Sequence, residues 1–332
     1  MKLADAVVAF RSKFAAEEPF HDAFDELVAS SKHATRDERD AAIIALLDPT
    51  GITHAEVSGF LCIASGALVE DGASTTLGMD AILDGLADGA EILAASGPAL
   101  DEADLDAMAD PPPAALARDE RRWVAGWKSH VRGAMARLAR DIEVRKLARA
   151  HPRLAPAVRA LAARTSAHHL RYIIEILDML DDARLDVVDL PGGKITRMRV
   201  SGIRSGFHLM TLLDGKDPFR IAGEHVTAEH SYFTWRALVA SPDGWSTRGD
   251  KTSAAVGLGD LVWGEMRAVD LPEFEGVRTV LRTASVFGSR SWDGAFVAPI
   301  HDALRESLVV ESVVEPADAR GLLERMARAA AT

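Results

Sequence analysis

Basic residues are missing from a long stretch of this chain. Between Asp40 and Ala117, 78 residues pass without one Lys or Arg while 14 Asp and Glu accumulate. Cysteine is almost absent as well. Cys62 stands alone, which excludes an intrachain disulfide and fits a reducing compartment; beside Phe60, Leu61 and Ile63 it reads as a small buried hydrophobe rather than a reactive thiol. No apolar run reaches the roughly 18 residues of a membrane span. The most apolar segment, Val57 to Val69, is interrupted by Ser58, Gly59, Ser65 and Gly66 and reads as a buried helix. The N-terminus has no uninterrupted apolar region ahead of a small-residue cleavage site, so no secretory signal is expected and a cytoplasmic location is. Catalytic signatures are lacking too: there is no Walker loop, no Gly-x-Ser-x-Gly elbow and no His-Glu-x-x-His, which leaves enzymatic activity an open question.

What is present is a soluble composition. Of 332 residues, 48% are apolar and 27% charged, enough to build a core, and the length favours two domains. A formal charge of −12 argues against general nucleic-acid binding, which depends on Lys and Arg neutralising phosphates. Arg outnumbers Lys by 30 to 8 and Ala is abundant, the usage of a high-GC bacterial genome.

The charge-free-of-cations stretch is followed by its opposite. From Arg118 to Arg171, 14 Lys and Arg meet four acids. Acidic 40–117 and basic 118–171 meet at the stiff connector Pro111–Pro113. Blocks of opposite sign either neutralise each other within the fold or present one face to a charged partner.

The first 184 residues carry apolar positions at intervals of three and four, so residues 1–184 are expected to form a helical domain. Thr53 and Glu56 form a capping-box pattern ahead of a central helix from His54 to Val69, whose small residues Gly59, Ala64, Ser65 and Gly66 invite a close neighbour. A helix from Thr76 to Ala95 carries Asp80, Asp84, Asp88 and Glu91 on one stripe, read as a solvated face with pairing to the basic block as the alternative. One long helix is expected from Arg118 to Ala150, with Trp123, Trp127, Val131, Met135, Leu138 and Ile142 as its inward seam. Shorter helices cover Ala155–Ala163 and Ser166–Leu180.

Near Leu185 the period changes. Leu185–Leu190, Pro191-Gly192-Gly193 and Lys194–Val200 read as a β-hairpin. A helix over Gly206–Leu213 follows, then strands over Ser231–Val239, Leu261–Met266, Val277–Thr283 and Leu308–Val314, a turn at Pro242-Asp243-Gly244, and a closing helix over Pro316–Ala330. Residues 185–332 are therefore expected to form an α+β domain with a mostly antiparallel sheet, making the chain α+β as a whole.

Candidate sites are few. Glu224-His225 and Glu229-His230 repeat an acid–His pair just before a strand, and His208 or His301 could supply a further nitrogen to a divalent metal with an open water position. Arg197, Arg199 and Arg204 flank the Ser201–Gly206 turn and could hold a small anion. Charge segregation and amphipathic helices without a catalytic motif point to a non-catalytic protein-binding or scaffold protein with a protein partner or a homo-oligomer and no membrane. The alternatives are an enzyme with a histidine site at the domain junction, and a regulatory module binding a small anion or a nucleic acid.

Overall fold

The computed structural model describes the whole chain except residues 17, 51–54, 97–99, 101–104, 106–113, 219, 222, 239–259, 287 and 289. It is α+β and divides into two compact units, Met1–Leu177 and Asp178–Thr332. Thr53, Pro111–Pro113 and the Pro242–Gly244 turn lie outside the described residues.

The first unit is helical: α1 (Leu3–Ala15), α2 (His21–Ser31), α3 (Arg36–Leu47), α4 (Ala55–Glu70), α5 (Met79–Ala95), α6 (Arg118–Leu138), α7 (Ile142–Ala150), α8 (Leu154–Ala162) and α9 (His168–Leu177). Local chemistry starts α3, where Thr35 Oγ1 accepts from the Glu38 N–H at 3.3 Å and Glu38 Oε2 accepts from the Thr35 N–H at 2.7 Å, a reciprocal capping box. The end of α3 is held by Arg11, which donates to the carbonyls of Leu46 at 3.1 Å and Asp48 at 2.9 Å.

Helix α4 is central, as its small residues imply. It packs on α6 through glycine at matching heptad positions, Gly59 and Gly66 against Gly126 and Gly133. A Cβ on Gly133 would sit 2.4 Å from the Cys62 carbonyl oxygen, and one on Gly59 would sit 2.6 Å from that of Gly126, so only glycine lets the two backbones approach this closely. Beside the crossing, Trp127, Val131 and Leu138 are fully buried, which is the seam expected from their spacing.

The expected long helix is broken. Residues 139–141 leave the helix between α6 and α7, because Asp141 turns to an extended conformation and its carboxylate accepts from the Glu143 N–H at 2.9 Å, starting a new helix. A cap outweighed the continuity of the apolar stripe through Ile142. The acidic stripe is also not simply solvated: Asp84 lies 3.2 Å from His151 Nε2, Glu91 accepts from Arg153 at 2.7 and 3.0 Å, and Arg153 also pairs with Asp88. His151 and Arg153 belong to the basic block, and Arg140 of that block lies 3.7 Å from Glu70.

In the second unit β1 (Ala183–Asp189) and β2 (Lys194–Ser201) form the expected hairpin, followed by α10 (Gly206–Leu213), β3 (His225–Ala228), β4 (His230–Thr234), β5 (Glu273–Phe274), β6 (Val277–Ala284), β7 (Arg290–Asp293), β8 (Ser307–Val314) and α11 (Pro316–Ala330). The main sheet runs β4-β6-β1-β2-β8, with β5 also on β6; every pairing is antiparallel except β1 with β6. Strands β3 and β7 form a separate antiparallel pair. Ala319, Leu322, Leu323 and Met326 of α11 join Val188, Ile195, Phe233 and Leu281 in one core, while Leu185, Val187 and Val200 look the other way, towards Leu209 and Met210 of α10.

Two expected strands change. The segment from Ser231 stops pairing at Thr234, where Trp235–Ala237 tightens into a 3-10 turn. Residues 261–266 form no strand: Leu261 bridges only to Phe233, and the carbonyls of Gly264 and Met266 each accept at 2.8 Å, from the N–H groups of Phe207 and Gly206. Those donors are free ends of α10, so the segment serves the helix instead of a sheet.

Candidate functional site

The first unit contains a cavity of about 410 Å³ between the end of α1 and the first turns of α4 and α6. Phe14 and Phe20 stack with ring centroids 4.3 Å apart, and Phe60 meets Phe20 at 4.7 Å and Phe14 at 5.7 Å. Each ring is half-buried, so the trio packs on itself and still turns surface into the cavity with Val57. The rim is charged. Arg118 and Arg122 lie one helical turn apart on α6 and line the cavity together with Glu56 of α4 and Glu18. Glu18 is held by Lys13 at 2.6 Å, and Arg122 lies 3.6 Å from Asp119. Arg118 and Glu56 make no ion pair or side-chain hydrogen bond among the described residues. A smaller cavity of about 180 Å³, lined by Arg11, Thr50 and Leu61, shares Phe14 and Val57 with the first.

The histidines singled out in the sequence are all in the second unit, and each has a distinct setting. His208 is buried in α10; its Nδ1 accepts from the Arg204 N–H at 3.3 Å while Nε2 has no partner among the described residues, and burial, assisted by the Arg204 charge, pushes its pKa down to about 3. His225 is exposed on β3 opposite Asp293, and His230 opens β4, so the two histidines belong to different sheets. His230 Nδ1 lies 2.8 Å from Asp214, a buried carboxylate at the end of α10 that also accepts from the Tyr232 hydroxyl at 2.7 Å and the Glu229 N–H at 3.1 Å. Burial and the Asp214 carboxylate both push the Tyr232 hydroxyl pKa up. His301 Nδ1 accepts from the Ala303 N–H at 3.1 Å. Among the described residues no three His, Cys, Asp or Glu side chains converge as a metal site.

The three arginines are engaged within the unit. Arg197 lies 3.7 Å from Asp186, a buried carboxyl whose pKa is raised by burial. Arg199 bridges Asp182 at 2.8 Å and Glu311 at 2.9 Å. Arg204 is buried and donates to the carbonyls of Val297 at 2.6 Å and Ala298 at 2.7 Å. Their chemistry in this fold is cross-linking of strands and turns.

The aromatic cavity and Asp214 are not among the residues singled out from the sequence. A compositional signal for the first existed: four of the chain's 11 phenylalanines, Phe10, Phe14, Phe20 and Phe24, fall within 15 residues. Asp214 gave none, standing 16 residues from His230 in an ordinary Asp-Gly turn.

Compared with known proteins, the chain matches no family model, no curated protein and no solved structure.

Proposed function

We propose that this protein is a non-catalytic binding or accessory protein that takes an extended segment of a partner protein onto β8 by strand addition. The observation that carries this reading is the state of that strand. Among the described residues β8 ends the sheet order; it is eight residues long and leaves Val309, Val310 and Val313 at 57, 54 and 50% exposure. A long edge strand with exposed valines presents unpaired backbone groups and apolar side chains together, and it carries neither the Lys nor the Pro that commonly blunts such edges. Its single irregularity, a register shift that skips Glu311, leaves that carboxylate tied to Arg199.

Charge selects the partner's chemistry. Glu306 and Glu315 bracket the strand and have no ion pair among the described residues. They fit an apolar, β-branched segment flanked by Lys or Arg. A second copy fits less well, since β8 aligned antiparallel with itself from Ser307 to Val314 sets Glu306 against Glu315. The helical blocks are poorer candidates for the binding face, because Asp88, Glu91 and Glu70 already meet arginines of the basic block and Asp84 meets His151. A cytoplasmic setting suits the lone buried Cys62, and no described helix is long and apolar enough to cross a membrane.

The test is fluorescence anisotropy with a short labelled peptide of alternating valine and threonine carrying lysine at both ends. Saturable binding to the native protein, weakened by about tenfold or more in the Val310→Lys variant, is expected. Absence of binding, or equal binding to both proteins, contradicts strand addition.

A further inference from the structure

We propose that the cavity between α1, α4 and α6 binds a free α-amino acid with a large apolar side chain. This site lies in the helical unit and is independent of strand addition at β8. Its volume of about 410 Å³ falls within the range of small-molecule pockets, roughly 300–1,000 Å³, and its wall is chemically one-sided. Phe14, Phe20 and Phe60 give three ring surfaces that are only half-buried by one another, ready to cover an aromatic or branched aliphatic side chain.

The rim narrows the ligand class. Of its four charges, Glu18 and Arg122 are taken up by Lys13 and Asp119. Arg118 and Glu56 remain unspent, one cation and one anion on a shared cavity, the first exposed and the second half-buried. A hydrocarbon satisfies the rings and leaves both charges unmatched. A simple carboxylate matches Arg118 and faces Glu56, and a simple amine does the reverse. An α-amino acid carries ammonium and carboxylate on one carbon with the apolar group beside them, and of these four ligand types it alone offers a match to the wall and both charges: the Arg118 guanidinium donates to the carboxylate, the Glu56 carboxylate accepts from the ammonium, and the rings cover the side chain. Such complementarity acts chiefly on specificity, so discrimination among close analogues is the informative readout.

The experiment is isothermal titration calorimetry on the full chain with L-phenylalanine, 3-phenylpropionate, which lacks the ammonium, and phenethylamine, which lacks the carboxylate. L-phenylalanine is expected to bind about tenfold or more tightly than either analogue. Arg118→Gln is expected to weaken L-phenylalanine and remove its advantage over phenethylamine, while Glu56→Gln removes its advantage over 3-phenylpropionate. Both positions are at the rim, so circular dichroism should report unchanged folding. No heat from L-phenylalanine, L-leucine or L-tryptophan at millimolar concentration, equal binding of the three phenyl compounds, or discrimination that survives both substitutions overturns the proposal. The β8 peptide assay reads a different unit, so failure here leaves that result standing.

Discussion

Two buried histidines set how stability responds to acid. Burial pushes His208 down to about 3 and His130, packed against Trp123, down to about 4. Both are neutral in the folded state and regain an ordinary pKa near 6.5 when the chain unfolds. The unfolded state therefore binds more protons below that value, and stability is full above about pH 6.5 and falls as pH drops towards the folded values, by about 1.4 kcal/mol per pH unit for each histidine. Urea unfolding at pH 7 and pH 5 should show this loss, and His208→Gln should flatten the share belonging to the second unit. A pH-independent midpoint contradicts the burial argument. Arg137 makes a second residue-scale case. It is fully buried and donates to the Gly133 carbonyl at 3.2 Å and to Ser65 Oγ at 3.1 Å, without a carboxylate partner among the described residues, and burial pushes its pKa down. Desolvating that charge is costly, and Arg137→Met should hold or raise stability, by up to roughly 4 kcal/mol. Arg137→Ala removes the same charge but leaves a void, and should be less stable than Arg137→Met by about 2–5 kcal/mol; thermal denaturation of the two variants separates charge from volume.

At the scale of elements, the α4–α6 crossing depends on glycine. Gly133→Ala drives a methyl into the Cys62 carbonyl and should cost about 1–3 kcal/mol. Gly321, in the middle of α11, has open space around its Cβ position, and Gly321→Ala should instead stabilise by about 0.5–1 kcal/mol. Opposite signs from one substitution type, read by chemical denaturation, test whether close approach governs the crossing. Helices such as α11, and the β1–β2 hairpin, were legible because the signals that make them are local: a period of 3.6 or 2, a Pro at the first turn, a Pro-Gly-Gly turn. The break at Asp141 was harder, since a single capping carboxylate competed with an apolar stripe that runs on through Ile142. The stretch from Leu261 to Met266 has strand composition, yet its carbonyls are claimed by the start of α10, a partner more than 50 residues earlier in the chain. The cavity was illegible for the same reason, because Phe14, Phe60 and Arg118 come together only when three distant helices pack.

For the molecule as a whole, the paired charges and the free edge lead to different expectations. Arg153 with Asp88 and Glu91 forms surface ion pairs of the first unit; exposed pairs of this kind are weak and screened by salt, so high salt should lower the melting temperature only modestly. β8 is the opposite kind of feature, an element whose backbone and valines have capacity left over. Amide hydrogen exchange of the native protein, alone and with the lysine-flanked valine–threonine peptide, tests that capacity most directly. Strand addition predicts that exchange slows across Ser307–Val314 on adding peptide while the β1–β2 hairpin is unaffected. Unchanged exchange along β8, or slowing confined to other segments, contradicts it.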